Sequence, residues 1–498
     1  MSGREASHGI EAQQVAPTPA GLRFSTAVLL ALAAGLLLRL WFLLHNEHLA
    51  GDSLIYGDFA KNLLQHGVYG FSDTAHGLPA PPRPTLIRLP GYPLFLALIF
   101  ALFGVEHYRA AMLVQVAIDL WTCLLLGGLA GRIFTQNRRR AACAALWLAA
   151  LCPFTANYVA APLTETLTLF TIALAFYSLE RWRQESGSGL NRWMFAIAFA
   201  LGYGILLRPE QGMLAAAVVP AMAWMRLRGA RNRSALVALR PVLLLSLLAV
   251  LPLLPWTLRN WRTMHVFQPL APRYANDPSE SNPYGFQHWY RTWAVDFAST
   301  VTVYWNYEGS SLQIADLPNR AFDSDAEYTA TETLLADYNQ NNTRSDTLDR
   351  RFDALARQRV QADPIRYFVQ LPGSRLVNMM FRPRTEMLPV PLEWWKYRGH
   401  EHTALFAGFY AVLNLVYFVL AGITMRRSEL WRDYQPLVWA MLATIVMRSA
   451  LLLTMDNSEA RYTLEFFPIL IVLAAGCFIP FRRADNRGDN AEILTAPQ

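Results

Sequence analysis

Gly51-Asp52-Ser53-Leu54-Ile55-Tyr56 opens, and Arg88-Leu89-Pro90-Gly91-Tyr92-Pro93 closes, the stretch that follows the first long apolar run of the chain. Between them Ile55, Phe59 and Leu63 recur at helical spacing, with Tyr56, Ala60 and Leu64 beside them. Asp58, Lys61, Asn62 and Gln65 fall among them as a polar face. A short helix of that kind lies on a membrane surface rather than crossing it. The spacing therefore puts Asp52 at the boundary between water and lipid, next to a proline-rich bend. Chemistry on a lipid-linked substrate needs an acid or base at that depth.

Composition fixes the solvent. The chain has 498 residues, 53% hydrophobic and 16% charged, well below the roughly 25% charge of soluble domains. Apolar runs recur, and each crossing of a bilayer needs about 20 residues. The formal charge of +7 sits as arginine clusters between those runs, the pattern of topology signals rather than of nucleic-acid binding. Cys123, Cys143, Cys152 and Cys477 all lie inside apolar runs, so neither a disulfide framework nor a zinc spacing is present. Residues 1–23 read as a disordered cytoplasmic tail, and 24–44 is too long for a signal-peptide core, so it is taken as a retained span.

Working outward from the opening stretch, 92–103 is apolar but short, which suits an interfacial or re-entrant segment. Further spans are expected at 111–133, 141–159, 163–179, 193–207, 212–225, 242–258, 404–423, 437–453 and 464–480. With 92–103 not crossing, Arg132, Arg138–Arg140, Arg181, Arg183, Arg192, Arg226, Arg228, Arg231, Arg233, Arg426, Arg427, Arg432, Arg482, Arg483 and Arg487 all fall on the cytoplasmic side. The expectation is an all-α polytopic membrane protein of about ten transmembrane helices plus interfacial helices. It has an N-terminal membrane module at 24–258 with its outer loop at 45–93, and a smaller extracytoplasmic domain at 259–402. C-terminal spans follow at 403–480, and a cytoplasmic tail at 481–498. In the outer domain Trp289, Trp293 and Trp305 indicate a core, 348–360 reads as a helix stopped by Pro364, 365–381 as interfacial, and much of 276–347 as loop.

That topology gathers Asp52, Arg88, Glu165, Arg208, Glu210, Arg259, Asn260 and Arg461 at the outer ends of spans. Arg39 lies inside the first span, where a charge is a functional-site hypothesis by default. Each has a plain structural reading as well. Glu165 could complement a helix dipole, Arg208-Pro209-Glu210 could be a self-neutralising turn, and Arg39 could snorkel. Their gathering on one face is what several arginines and one or two carboxylates need to handle a phosphate leaving group and a proton. No nucleophile elbow, phosphate-cradling glycine loop or zinc helix motif is present. No metal ligands are assigned, and a divalent metal between Asp52 and another carboxylate is left open without support from the sequence.

In order, Asp52 with Tyr56, Arg88-Leu89-Pro90-Gly91-Tyr92-Pro93, Leu207-Arg208-Pro209-Glu210, Pro255-Trp256 with Arg259-Asn260, and Arg461-Tyr462 resemble the GT-C superfamily of membrane glycosyltransferases. The likeness is to the branch of protein O-mannosyltransferases and lipid A aminoarabinose transferases, over about 24–480. The resemblance implies a polyprenyl-phosphate-linked sugar as donor, an extracytoplasmic lipid, glycan or protein as acceptor, and inversion at the anomeric centre. It also implies a bacterial inner membrane, with the active site on its extracytoplasmic face and membrane lipid around it. It implies Asp52 as general base, and Arg88 and Arg259 on the phosphate with Arg208 and Arg461 as second choices. Tyr56, Arg39, Glu165, Glu210, Asn260 and Tyr462 would contact substrate. The family often has an Asp-Glu pair after the first span, whereas Ser53 follows Asp52 here. The rival classes are a transporter or flippase of lipid-linked sugars, which predicts an internal repeat and midplane polar residues, and a non-catalytic envelope assembly subunit, which predicts that the span-end charges are dispensable.

Overall fold

The computed structural model describes residues 19–480, apart from 50, 76–77, 186–188, 230–233, 279 and 397. Most of both expected tails, and Arg231, Arg233, Arg482, Arg483 and Arg487, lie outside the described residues. The first helix, α1 (Pro19–His45), begins inside the stretch expected to be a tail. It is followed by α2 (Asp52–His66), a hairpin of β1 (Gly70–Ala75) and β2 (Leu78–Pro84), and α3 (Gly91–Phe103). Then come α4 (Tyr108–Ile133), α5 (Arg138–Ala150), the single turn α6 (Pro153–Ala156), α7 (Glu165–Gln184), α8 (Arg192–Leu207), α9 (Gly212–Gly229), α10 (Ala235–Val250) and α11 (Leu253–Met264). The outer segment carries α12 (Tyr284–Arg291), α13 (Phe297–Ser299), α14 (Asp325–Asn339), α15 (Asp346–Ala362) and α16 (Leu371–Phe381). The chain returns through α17 (Glu401–Met425), α18 (Ser428–Asp433), α19 (Gln435–Leu453) and α20 (Phe467–Ala474), the last continued at both ends by 3₁₀ turns, Ala460–Phe466 and Ala475–Phe478. Among the described residues the fold is all-α apart from the hairpin.

A helix stands at each of the ten expected spans, but not all have spanning length. Six helices among the described residues are long and apolar enough to cross a bilayer, and the bent pair Thr135–Ala150 with Pro153–Ala160 makes a seventh. The others are shorter or more polar. α8 has 16 residues, and α7 carries Glu165, Glu180, Arg181 and Arg183. Burial explains why the polarity is tolerated: α7 is buried along most of its length, with Glu180 paired to Arg183 at 2.7 Å and bonded by Gln184 at 2.8 Å. The segment expected not to cross is α3, a helix of 13 residues. Gly91 at its start lets it press onto α8, since a Cβ there would lie 2.5 Å from the Leu206 carbonyl oxygen.

The opening helix is rotated from its expected face. Ser53, Tyr56, Phe59, Ala60 and Asn62 are buried, whereas Leu54 and Leu64 are exposed. Asn62, expected on the polar face, donates to Gly70 O at 2.9 Å and so anchors the hairpin that the proline-rich sequence concealed. Asp58 takes the Ser72 amide at 2.7 Å and its hydroxyl at 2.5 Å, pinning the same hairpin.

In the outer segment Trp289 and Trp293 are buried against Phe286, Tyr290, Tyr338 and Phe352, but Trp305 is exposed. The expected helix before Pro364 is α15, while α14 fills part of what was expected to be loop. Its signal is the Ser-x-x-Glu spacing of a capping box: Ser324 Oγ accepts from the Glu327 amide at 3.2 Å, while Glu327 reaches back one residue past the cap and accepts from the Asp323 amide at 2.8 Å. Ile365, Phe368 and Val369 before α16 present apolar side chains outward, as an interfacial segment would.

Candidate active site

The site is built by two arms of the opening stretch. Gly51 has φ 55° and ψ −120°, a backbone that L-residues with a Cβ avoid. It turns the chain into α2 and sets Asp52 in the first helical turn, where the helix dipole favours a carboxylate. The second arm, 85–89, is strapped from three sides. Asp277 accepts from Thr85 Oγ1 at 3.0 Å, the Leu86 amide at 2.8 Å and Arg83 Nη1 at 3.2 Å. Arg259 donates to Thr85 O at 2.8 Å and Tyr69 O at 2.5 Å. Tyr69 Oη donates to the carbonyls of Arg88 at 3.1 Å and Leu89 at 3.2 Å. So held, Arg88 Nη2 donates to Asp52 Oδ1 at 2.8 Å.

Asp52 Oδ2 accepts from the two terminal amino groups of Arg461 at 3.3 and 3.4 Å. The charges then run on as a chain. Arg461 also pairs with Glu459 and lies 3.9 Å from Glu165. Arg208 bonds Glu165 at 3.1 Å and Glu465 at 3.2 Å, with Glu210 3.8 Å away. Arg448 closes the line, 3.1 Å from both Glu210 and Glu465. Of the residues singled out in the sequence, Asp52, Arg88, Glu165, Arg208, Glu210 and Arg461 thus fall into one network. Tyr462 joins it indirectly, donating to Glu459 Oε1 at 2.6 Å.

The remaining candidates are placed differently. Arg39 is fully buried and bound to Asp119 at 2.5 Å, with further donations to Gly35 O and Ala150 O, so it joins α1 to α4 and α5 rather than to this network. Arg259 pairs with no carboxylate among the described residues. It spends its donors on backbone carbonyls and Asn260, and stacks over Tyr69 and Trp256. Asn260 is fully buried and donates to Gln268 O at 2.7 Å. Tyr56 packs its ring on Tyr92, centroids 5.2 Å apart, one turn beyond Asp52. Sequence reasoning missed Arg448, Glu459 and Glu465. Arg448 sits inside an apolar span, and the rule applied to Arg39, that an intramembrane charge signals function, would have found it.

Electrostatics follow from the pairing. Burial pushes the Asp52 carboxyl up, but Arg88 and then Arg461 outweigh it and hold the group below the usual carboxylate range. Burial, followed by the Asp52 charge, pushes the Tyr56 hydroxyl up to about 12, so it stays a neutral donor. Among the described residues no three His, Cys, Asp or Glu side chains stand together as metal ligands. The carboxylates of the network face guanidinium groups instead. The arrangement can hold one ionised carboxylate at the mouth of the bundle while offering arginine donors to a second anion.

Residues 83–256 match the family described as dolichyl-phosphate-mannose-protein mannosyltransferase. No curated protein matches the sequence. Among solved structures, the archaeal oligosaccharyltransferase AglB from Archaeoglobus fulgidus, in complex with an inhibitory peptide and a dolichol-phosphate, is 12% identical with a TM-score of 0.48 over 91% of this chain and 50% of that one. This chain therefore spans about half the length of that enzyme. ArnT from Cupriavidus metallidurans is 15% identical in the apo state, with a TM-score of 0.32 over 92% of this chain and 78% of that one. The same protein bound to undecaprenyl phosphate is 13% identical with a TM-score of 0.35 over 91% and 78%. The family match across 83–256 takes in the Arg88, Arg208-Pro209-Glu210 and Pro255-Trp256 motifs, and with it the resemblance of this chain to the GT-C membrane glycosyltransferases stands.

Proposed function

We propose that this protein is an integral membrane glycosyltransferase. It moves a sugar from a polyprenyl-phosphate donor to an acceptor outside the cytoplasm, with inversion, and Asp52 is its general base. The observation that carries the reading is Asp52 itself, ionised between Arg88 and Arg461 at the end of a buried charge network. In the reaction the acceptor hydroxyl or amine gives its proton to Asp52 and attacks the anomeric carbon. The bond from that carbon to the phosphate oxygen breaks, and the polyprenyl phosphate carries the electron pair away. A carboxylate held by two arginines is a weak base at rest. A donor phosphate that competes for Arg88 and Arg461 loosens this hold and raises the proton affinity of Asp52 when substrate is present.

Arg88→Ala and Arg461→Ala should each weaken polyprenyl-phosphate binding about ten- to hundredfold, since a charge-assisted hydrogen bond contributes about 1.5–3 kcal/mol. Lysine should rescue only in part, because it lacks the planar fork. Arg259→Ala should instead loosen the hairpin, read as faster proteolysis near residues 70–84. Donor affinity unchanged in both Arg88 and Arg461 variants would remove these two from the phosphate.

The proposed seat is a bacterial inner membrane with the site on the extracytoplasmic face. Arg132, Arg183, Arg228 and Tyr434 gather with Gln184 and Gln435 away from Asp52, at the end where the arginine clusters fall. In a cysteine-free background, Gln136→Cys should resist a membrane-impermeant thiol reagent in whole cells and Gln340→Cys should react. The reverse pattern would put Asp52 on the cytoplasmic face and rule out an outer acceptor. The function itself is tested by mass spectrometry of envelope lipids, glycans and glycoproteins from cells with and without the gene. One species lighter by a single sugar names the acceptor, and identical envelopes under conditions of expression would sink the proposal.

A further inference from the structure

Every arginine in the network around Asp52 already has an anion. Arg88 and Arg461 hold Asp52, Arg461 also holds Glu459, and Arg208 and Arg448 hold Glu165, Glu210 and Glu465. A phosphate arriving there competes with carboxylates for these arginines. One neighbouring arginine is in a different state. Arg382 follows directly after α16 and is 8% exposed, yet it pairs with no carboxylate among the described residues. Its only side-chain hydrogen bond among the described residues runs from Nε to the adjacent Pro383 carbonyl at 3.3 Å. Its guanidinium lies over the Phe297 ring, 4.6 Å from the centroid, and neither terminal amino group has a hydrogen-bond partner among the described residues. These groups are not sealed off, unlike Nη2 of Arg375, which is buried without a hydrogen bond. Burying an unpaired cation is costly, so a position that keeps one is fitted to an anion supplied from outside.

The surroundings place Arg382 beside the turn that carries Arg461. On one side of it, Thr463 Oγ1 donates to Met379 O at 2.9 Å. On the other, Arg384 donates to Ala460 O at 2.8 Å and to Thr463 Oγ1 at 2.5 Å. Each of the three nitrogens of Arg384 is thus engaged, Nε on Asn414 Oδ1, and the side chain is buried at 3% exposure. Nearby, Tyr158 donates to Glu386 Oε1 at 2.9 Å, and Glu386 Oε2 is buried without a partner, an acceptor suited to a hydroxyl. The wall next to Arg461 therefore offers a forked cation and an orphan carboxylate oxygen, and the two are not paired with each other.

We propose that Arg382 is a phosphate ligand of this site, taking the phosphate monoester of a prenyl carrier through its two terminal amino groups before the phosphate engages Arg88 and Arg461. This rests on the glycosyltransferase reading and deepens it. It names which arginine receives the phosphate before the charge network has to open.

The test uses the full chain in detergent micelles, with farnesyl phosphate and farnesol as probes. Wild type should bind the phosphate far more tightly than the alcohol. Arg382→Gln, which keeps bulk over Phe297, should narrow that ratio about tenfold or more while leaving farnesol affinity in place; Arg382→Lys should recover part of it. A ratio that survives in Arg382→Gln overturns this inference and leaves the glycosyltransferase reading standing. No preference for the phosphate in wild type overturns that reading, and this one with it. Inorganic phosphate as competitor separates the sources: displacement assigns the position to the free anion, and failure to displace assigns it to the lipid-borne group. If Arg382→Gln loses affinity for both probes together, Arg382 is a packing residue and the inference fails.

Discussion

Asp52→Asn should fold, insert and still bind donor, while turnover falls about 10²–10⁴-fold, the usual contribution of a general base. Asparagine keeps the size of the side chain and still accepts from Arg88, but it cannot take the acceptor proton. It also removes the charge that Arg88 and Arg461 share, so donor phosphate should bind no worse, and tighter binding with lost turnover is the signature that separates base from anchor. The pH dependence follows with a definite sign. The folded carboxyl lies below its usual value, so its charge and the stability it contributes are present above about 3.9 and are lost only as pH falls through the lower folded value. A pH–rate profile between about 5 and 7 should therefore show no acid limb from Asp52 in the free enzyme. Any limb appearing only under donor saturation would report the loosened arginine hold. Asp73 is the control: it is exposed on β1 of the same outer stretch, and its side chain bonds only the neighbouring Thr74 amide among the described residues. Asp73→Asn should be silent. Asp58, the nearer carboxylate by sequence, would mislead, because it pins Ser72 and the hairpin. Equal activity in Asp52→Asn and Asp73→Asn would remove the catalytic role and the best residue-level reason for calling the chain an enzyme.

What the sequence could tell follows from what kind of signal each residue leaves. Asp52, Arg88, Glu165, Arg208 and Arg461 stand at the ends of apolar runs, and a charge at a run's end is visible without knowing what it touches. Their convergence is legible because the topology expected from the arginine clusters puts those ends on one face. Partner identity was not. Arg259 and Arg461 look alike as an arginine within two residues of an aromatic one, yet one strings backbone carbonyls together and the other meets Asp52. Arg448 and Glu465 are hidden inside apolar runs, where hydropathy averages them away. The hairpin was hidden by Leu78-Pro79-Ala80-Pro81-Pro82-Arg83-Pro84, since four prolines argue against a strand. They are tolerated because β2 pairs on one edge only, so the missing amides are not required elsewhere. Arg382 leaves no sequence signal at all, because its distinction is the lack of a partner.

Arg39→Leu should destabilise the bundle by about 3–5 kcal/mol, the cost of stranding one member of a buried pair. Asp119 would be left facing Cys123 and apolar neighbours on α4, and an unpaired carboxylate inside a membrane carries a comparable penalty of about 2.5–3.5 kcal/mol on insertion scales. Arg39 also donates to Ala150 O at 2.7 Å, at the C-terminal end of α5, so its loss leaves a helix-end carbonyl without that donor as well. The effect should appear as a lower melting temperature in detergent and a larger aggregated fraction. Donor affinity in the folded fraction should not change, because nothing links Arg39 to the Asp52 network among the described residues. The double variant Arg39→Leu with Asp119→Leu is the decisive comparison. Replacing both partners with apolar residues of suitable size removes the stranded charge, so most of the stability should return. A single variant that melts like wild type but loses donor affinity or turnover would reverse this assignment and restore Arg39 to the substrate-binding role its intramembrane position suggests.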